Sequence, residues 1–314
     1  MGNLIFAATA VAPLFGVMAV GYFLSRSGFF SGSMLTDFNR FVFKIALPCL
    51  LFKQAYQTDF SAGNGLKLPL FGVIGAILLV AVLWVAVPRF VPDPRRASAM
   101  IQGVYRTNIA IFGLPLAINL FGEGNVGDMV LMIAVMVPLF NVIAVILLSS
   151  FAGGVVKPSW SSILKDIFKN HLIWGVMLGL CVNAVGITLP TIILTPISDL
   201  GATTTPLSML CLGGAFSFKS ASGNRTALFW TCLLRLVVVP AAAVGVGIAM
   251  GFTGPAIGAI FIVFGAPTAA SSYIMAQSMG SDGDLAGEIV VFTTMMSVFS
   301  IFIGIAVLRG LGII

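Results

Sequence analysis

Two short Gly-x-Pro motifs lie in the middle of long apolar stretches and could help to build a binding site. The first is Gly113-Leu114-Pro115 and the second is Gly265-Ala266-Pro267. Proline lacks a backbone N–H and clashes with the preceding helical turn, and glycine loosens the chain further. Backbone groups freed at membrane depth are tolerated only against protein or a water-lined cavity. The motifs predict two interrupted helices that cross at their breaks, or else two simple proline kinks.

Polar side chains flank both motifs. Asn108 precedes the first motif by between one and two turns, and Thr268 and Ser271 follow the second. At this depth the amide either contacts a ligand or hydrogen-bonds a neighbouring helix, and the hydroxyls either line a pocket or satisfy freed carbonyls. The predicted substrate-binding residues are Arg106, Asn108, Gly113, Pro115, Gly265, Pro267, Thr268 and Ser271.

Arg106 and the helix ends at the breaks favour an anionic ligand. Helix N-termini carry partial positive charge, and the planar arginine side chain can bind a carboxylate with two hydrogen bonds. Alternatively, Arg106 extends to the cytoplasmic interface and binds nothing.

Asp199 and Arg235 are predicted as coupling or gating residues. Asp199 is the carboxylate that the sequence places well inside a predicted span, and Arg235 follows on the next span. Protonation of Asp199 could drive transport, because burial raises a carboxyl pKa while a nearby arginine lowers it. The alternative is a permanently ionised Asp199–Arg235 pair with a structural role. The coupling ion would be H⁺ or Na⁺.

The composition requires a lipid environment. Of the 314 residues, 59% are hydrophobic and 8% are charged, and the mean hydropathy is +1.11. A soluble protein carries about 25% charged residues. The net charge of +6 comes from scattered basic residues, which argues against nucleic acid as a partner. Neither the four cysteines nor the single His171 has metal-ligand or catalytic spacing, so we predict no cofactor and no enzyme.

Ten transmembrane helices are predicted, and the chain is expected to be an all-α membrane protein. A span needs about 20 apolar residues. The predicted spans are 4–25, 37–57, 66–88, 97–121, 128–151, 170–187, 191–217, 226–250, 255–279 and 285–308. Residues 1–151 would form a first repeat, 152–169 a cytoplasmic linker with an interfacial helix, and 170–314 a second repeat. Five spans per half is an odd number, so the second repeat is inverted.

The distribution of Lys and Arg predicts the orientation. Ten basic residues flank the loops after spans 1, 3, 5 and 7, against three on the opposite side. Because cytoplasmic loops are enriched in Lys and Arg, both termini are predicted to lie outside.

The sequence resembles the auxin efflux carrier family, which includes bacterial malonate or malate carriers. Five stretches carry the resemblance: Asn39-Arg40 leading to Leu47-Pro48-Cys49, Asn108 leading to Gly113-Leu114-Pro115, Ser198-Asp199 with Pro206, Arg235 with Pro240, and Ala266-Pro267-Thr268 leading to Asp284-Leu285-Ala286. The resemblance implies ten spans with both termini outside, a scaffold domain, a transport domain with the crossover, and often a homodimer. It also places Asn108 in the substrate pocket.

Together these features predict a secondary active transporter in the bacterial inner membrane. Its substrate would be a small organic anion, either a malonate- or malate-like carboxylate or an auxin-like acid. An anion channel or a facilitative uniporter on the same scaffold is the alternative. A channel usually gathers several identical pore elements, whereas this chain offers one inverted pair.

Overall fold

The computed structural model describes residues 2–57, 65–151, 171–214 and 224–314. Within these ranges the chain is helical, and no strand forms apart from one isolated backbone bridge. The predicted all-α class is confirmed. The predicted linker 152–169 lies outside the described residues.

The helices are numbered in chain order. In the first half they are α1 (Gly2–Arg26), α2 (Gly32–Phe41), α3 (Leu47–Gln57), α4 (Lys67–Phe90), α5 (Pro94–Tyr105), α6 (Leu114–Phe121) and α7 (Gly127–Phe151). In the second half they are α8 (His171–Ala184), α9 (Thr191–Ala202), α10 (Thr204–Gly214), α11 (Arg225–Leu233), α12 (Val239–Ala249), α13 (Pro255–Gly265), α14 (Ser271–Ser278) and α15 (Gly283–Gly310).

Side-chain caps explain where several helices begin. The carboxylate of Asp93 accepts a hydrogen bond from the Arg95 backbone N–H at 2.9 Å, and Pro94 follows at the first position of α5. Asp282 caps α15 in the same way, through the Leu285 N–H at 3.0 Å. Such caps satisfy N–H groups that have no partner within the helix, and proline is favoured at that first position.

Lipid-facing surfaces confirm that the protein is integral to a membrane. Within the described residues, four helical stretches are long and apolar enough to span a bilayer: Lys67–Phe90, Gly127–Phe151, Arg225–Ala249 and Gly283–Gly310. On α4 the large apolar side chains of Ile74, Leu78 and Val82 are 49–64% exposed. Such a row of exposed apolar side chains suits contact with lipid chains. The count of ten spans and the inverted repeat stay predictions.

Three prolines are each preceded by a wide π-helical turn. These turns are Val42–Ala46 before Pro48, Ile109–Gly113 before Pro115, and Leu234–Val238 before Pro240. At the end of each turn an N–H bonds the carbonyl five residues back, as Leu114 does with Ile109. A proline ring clashes with the carbonyl four residues back, and the wider turn makes room for it. The α-helical segments on either side of the first and third turns therefore run on without a break, and the second turn leads directly into α6.

Helices from the two sequence halves pack against one another at glycines. A Cβ on Gly213 of α10 would lie 1.8 Å from the Met18 carbonyl oxygen of α1, and one on Gly21 would lie 2.2 Å from that of Leu210. A Cβ on Gly175 of α8 would likewise lie 2.5 Å from the carbonyl oxygen of Pro48. Small residues allow this close backbone approach between membrane helices.

Candidate functional site

Two interrupted helices cross at their breaks. The first break, Arg106–Asn108, follows α5, and the second, at residues 266–270, follows α13. The Asn108 N–H donates to the Pro267 carbonyl at 2.9 Å, and the Ala269 N–H donates to the Arg106 carbonyl at 3.0 Å. Thr107 and Thr268 thus form an antiparallel bridge. Each break satisfies backbone groups of the other, which membrane depth demands.

The first break is not where its proline predicted it. Pro115 lies about two turns beyond Asn108, at the second position of α6, and the turn Ile109–Gly113 that precedes it is helical. The π turn accommodates Pro115 without a break. The second break does coincide with its motif, since Ala266 is extended (φ −68°, ψ 157°) immediately before Pro267.

Arg235 holds the crossing together and does not pair with Asp199. Its side chain is fully buried, and its guanidinium donates to the carbonyls of Ala266 (2.6 and 2.8 Å) and Val104 (2.8 Å) and to Oγ1 of Thr107. Asp199 instead lies on an exposed face of α9. The predicted pairing is therefore wrong. The pairing was inferred from the order of the spans along the chain. In the structure, Arg235 binds carbonyls at the two breaks instead.

A cavity of about 540 Å³ lies beside the crossing. Three cationic side chains line it, Arg40, Lys44 and Arg106, and none of the described lining residues is acidic. Amides and hydroxyls add hydrogen-bonding groups: Asn39, Thr107, Asn108, Asn141, Ser208 and Ser271. Phe43, Ile111, Val137 and Phe140 supply apolar wall. A cavity with cationic groups and no described anionic group favours an anion.

Two predicted residues face this cavity with unused capacity to bind. Arg106 is 5% exposed and donates from Nη2 to the Asn141 side-chain oxygen at 2.6 Å. In this structure its buried side chain bonds Asn141 and does not extend to the exposed surface. Asn108 is 6% exposed, and its side-chain Nδ2 has no hydrogen-bond partner within the described structure. A buried donor without a partner is costly, so a hydrogen bond from a ligand or water that reached it would be favourable.

Comparison with known proteins shows the family of the chain. The model of a family described as membrane transport protein matches residues 6–305. The chain belongs to this family. It is also 24% identical over 287 residues to an uncharacterized transporter of Methanothermobacter thermautotrophicus, covering 91% of this chain and 93% of that protein. The resemblance to the auxin efflux carrier family is thereby confirmed.

The remaining predicted residues of this membrane transport protein divide between the cavity and the wall behind it. Ser271 lines the cavity at the start of α14. Gly113, Pro115, Gly265 and Pro267 are buried but are not among the lining residues. Gly113 allows close packing, since a Cβ there would lie 2.8 Å from side-chain atoms of Ile262 and Met129.

Thr268 is another wall residue. It is fully buried, and its Oγ1 donates to the Gly103 carbonyl at 2.7 Å. The sequence left open whether this hydroxyl lines a pocket or satisfies a freed carbonyl, and in the structure it bonds a carbonyl.

The transport protein also has cavity residues that the sequence analysis did not assign to the binding site. Lys44 lies one turn beyond Arg40 on the stretch that joins α2 to α3, and His171 begins α8. Asn141 comes from the middle of α7. A lysine among apolar residues of a predicted span was the available signal for Lys44. For Asn141 and His171, only the packing of distant helices shows that they reach the same cavity.

Proposed function

We propose that this membrane transport protein is a secondary active carrier that moves a small organic anion by alternating access. One observation carries the proposal: the cavity at the crossing has three cationic side chains, an Asn108 donor without a partner, and no acidic group among its described lining residues. Helix N-termini at Ile109 and Ser271 begin at the same cavity and add partial positive charge.

The substrate in this proposal is a malonate- or malate-like carboxylate or an auxin-like acid. Ligand cavities typically enclose about 300–1,000 Å³. The cavity of about 540 Å³ therefore accommodates either type of acid. Arg106 provides the fork for a carboxylate, and the apolar wall around Phe43 and Phe140 suits a carbon skeleton.

The structure corresponds to an inward-facing state in this proposal. The cavity includes Arg40, on the predicted cytoplasmic side, and its side chain is 65% exposed. Lys53 lies 13 residues further along the same stretch, about 20 Å away by helix rise. There it bonds Glu123 at 2.9 Å, so α3 and the turn after α6 are joined on the opposite side. Alternating access would open that side and close the cavity on the inner side.

The remaining parts of the proposal concern the setting of transport. The carrier would be a homodimer in the bacterial inner membrane, surrounded by lipid, with H⁺ or Na⁺ as the coupling ion. Coupling through the Asp199 carboxylate stays part of the proposal. Because Asp199 is exposed on α9, this coupling would not involve a buried arginine partner.

Counterflow in proteoliposomes tests the function. Vesicles loaded with unlabelled carboxylate should transiently concentrate the same labelled carboxylate, across a panel of mono- and dicarboxylates. A channel gives no counterflow, and a uniporter gives counterflow but no accumulation driven by a pH or Na⁺ gradient. Counterflow should be lost in Asn108→Asp, which places a negative charge in the cavity, and vesicles without protein are the inactive control. Absence of counterflow for every acid in the panel would overturn the proposal.

A further inference from the structure

Arg235 is a buried cation that contacts no substrate cavity. Its exposed fraction is 0%, and it is absent from the cavity wall. An isolated buried charge is strongly unfavourable, and such charges are normally paired. In the described part of the chain, Arg235 forms no ion pair with a carboxylate. Its partners are carbonyls and one hydroxyl.

The carbonyls that Arg235 binds belong to the carboxyl ends of both interrupted helices. Val104 lies in the last turn of α5, and Ala266 is the C-cap residue that follows α13. A helix C-terminus acts as about half a negative charge. Two such ends sum to about −1, which one guanidinium balances.

The described lining residues of the cavity include no carboxylate that could balance the other ends of the interrupted helices. The segment beginning at Ile109 and helix α14 beginning at Ser271 start at the cavity, and Ile109, Ala110 and Ser271 line it. The first N–H groups of a helix have no partner within it. The crossing thus contains two neutralised negative ends and two positive ends that face the cavity.

We infer that Arg235 is a positioning residue that makes the cavity select anions without touching them. By neutralising both carboxyl ends, it lets the amino ends and Arg106 dominate the potential in the cavity. The inference deepens the proposed function, on which its transport consequences rest. Loss of the guanidinium charge would return about one negative charge to the crossing.

The cavity potential can be measured without knowing the substrate. Cys49, Cys181, Cys211 and Cys232 are replaced by serine or alanine, and Ser271→Cys places one thiol in the cavity. The reaction rates of an anionic and a cationic methanethiosulfonate are then compared. A unit charge acting over about 10 Å at an effective dielectric constant of about 20 changes each rate about tenfold, in opposite directions. Their ratio therefore reports the charge at the crossing.

Three variants in this background test the inference. Arg235→Gln should lower the anionic-to-cationic rate ratio about a hundredfold. Arg235→Lys, which keeps the charge, should leave the ratio within about twofold of the parent. Arg225→Gln removes an exposed charge from the start of α11 and should also leave the ratio unchanged. A purely structural role predicts loss of thermal stability with no selective change in the ratio.

Two results would overturn the inference. One is an unchanged ratio in folded Arg235→Gln. The other is a collapsed ratio in Arg235→Lys, which decides the matter even where Arg235→Gln fails to fold. If the three variants change the rate ratio as expected but the parent protein shows no counterflow, the proposed function is wrong and this inference still holds.

Discussion

Arg106 and Arg235 both lie at the backbone crossing but differ in what they contact. Arg106 lines the cavity, where its Nη2 bonds the Asn141 side chain and its Nη1 donates to the Met275 sulfur. Arg235 lies behind the wall and bonds main-chain carbonyls. Both are arginines inside apolar sequence, and only their partners separate a ligand-binding role from a positioning role.

Removing the Arg106 charge should weaken substrate binding. Arg106→Gln loses a charged hydrogen bond worth roughly 1.5–3 kcal/mol, so KM should rise by about one to two decades. Arg106→Lys should recover part of this loss because it keeps the charge but not the planar fork. Initial rates in proteoliposomes measure the effect. The control is Arg89→Gln, which replaces an exposed arginine at the end of α4. An unchanged KM in Arg106→Gln would show that Arg106 does not bind the substrate.

Asn108 should contribute through its unpaired donor. Asn108→Ala removes one hydrogen bond, worth about 0.5–1.5 kcal/mol, so KM should rise by about two- to tenfold. Asn108→Asp keeps the shape but adds a negative charge, and it should abolish transport of anions. Asn119→Asp, at an exposed position on α6, makes the matched comparison. Equal activity of the two aspartate variants would contradict a ligand contact at Asn108.

At the scale of the helix, proline has two distinct effects in this protein. Pro48 and Pro240 each follow a π turn inside a helix that continues, and Pro115 follows a π turn that begins its helical segment at Ile109. Pro267 lies in a true break, whose carbonyl bonds Asn108. The break at Arg106–Asn108 contains no proline and is held by backbone hydrogen bonds to Pro267 and Ala269 and by Arg235.

The two crossover prolines should therefore differ in their sensitivity to alanine. Pro267→Ala supplies an N–H that can extend α13, so it should lower transport strongly, by about tenfold or more if closure costs the crossing a hydrogen-bonded contact. Pro115→Ala lets the π turn become α-helical without removing the break, and transport should fall only a few-fold. Pro88→Ala near the end of α4 is the control. Transport rate at equal membrane expression is the readout, and a larger loss in Pro115→Ala would reverse the assignment.

Across the whole molecule, the cavity and the Lys53–Glu123 ion pair lie towards opposite ends of the same helical stretch. Lys53 is on α3 and Glu123 is in the short turn Glu123–Asn125 that follows α6. Their side chains are 17% and 59% exposed. The pair thus joins a helix next to the cavity residues Arg40 and Lys44 to the end of an interrupted helix.

Breaking this pair should favour the outward-facing state. Partly exposed ion pairs contribute about 0.2–1 kcal/mol, so Lys53→Gln or Glu123→Gln should shift the population about 1.5- to fivefold. Labelling of a Ser271→Cys thiol from each side of the membrane measures it. The exchanged pair Lys53→Glu with Glu123→Lys should restore the parent distribution. Asp37→Asn, which breaks a local pair with Arg40 on one helical stretch, should not shift it.

The topology has its own test. With the native cysteines replaced, single cysteines introduced at Gly2→Cys and Ile314→Cys should both react with a membrane-impermeant maleimide added outside intact cells. The reason is the excess of Lys and Arg in the loops after odd-numbered spans. Termini on opposite sides of the membrane would contradict both the ten spans and the inverted repeat.

Composition and local sequence pattern were sufficient to predict an all-α membrane protein. With 8% charged residues the chain cannot cover a soluble surface, and apolar stretches near 20 residues define its helices. The motif at Pro267 located one break, because proline acts on its own turn. Arg106, Asn108 and Ser271 were placed at the cavity by their spacing from the two motifs.

Only the tertiary structure decided the position of the first break, the partners of Arg235 and the share of α2 and α7 in the cavity. The break at Arg106–Asn108 is fixed by Pro267 and Ala269, about 160 residues away along the chain. Arg235 is likewise fixed by carbonyls at Val104 and Ala266. Periodicity and proline report the preferences of neighbouring residues, whereas a buried donor takes whatever acceptor folding brings near it. That is why the sequence suggested Asp199 as the partner and the fold supplied two helix ends instead.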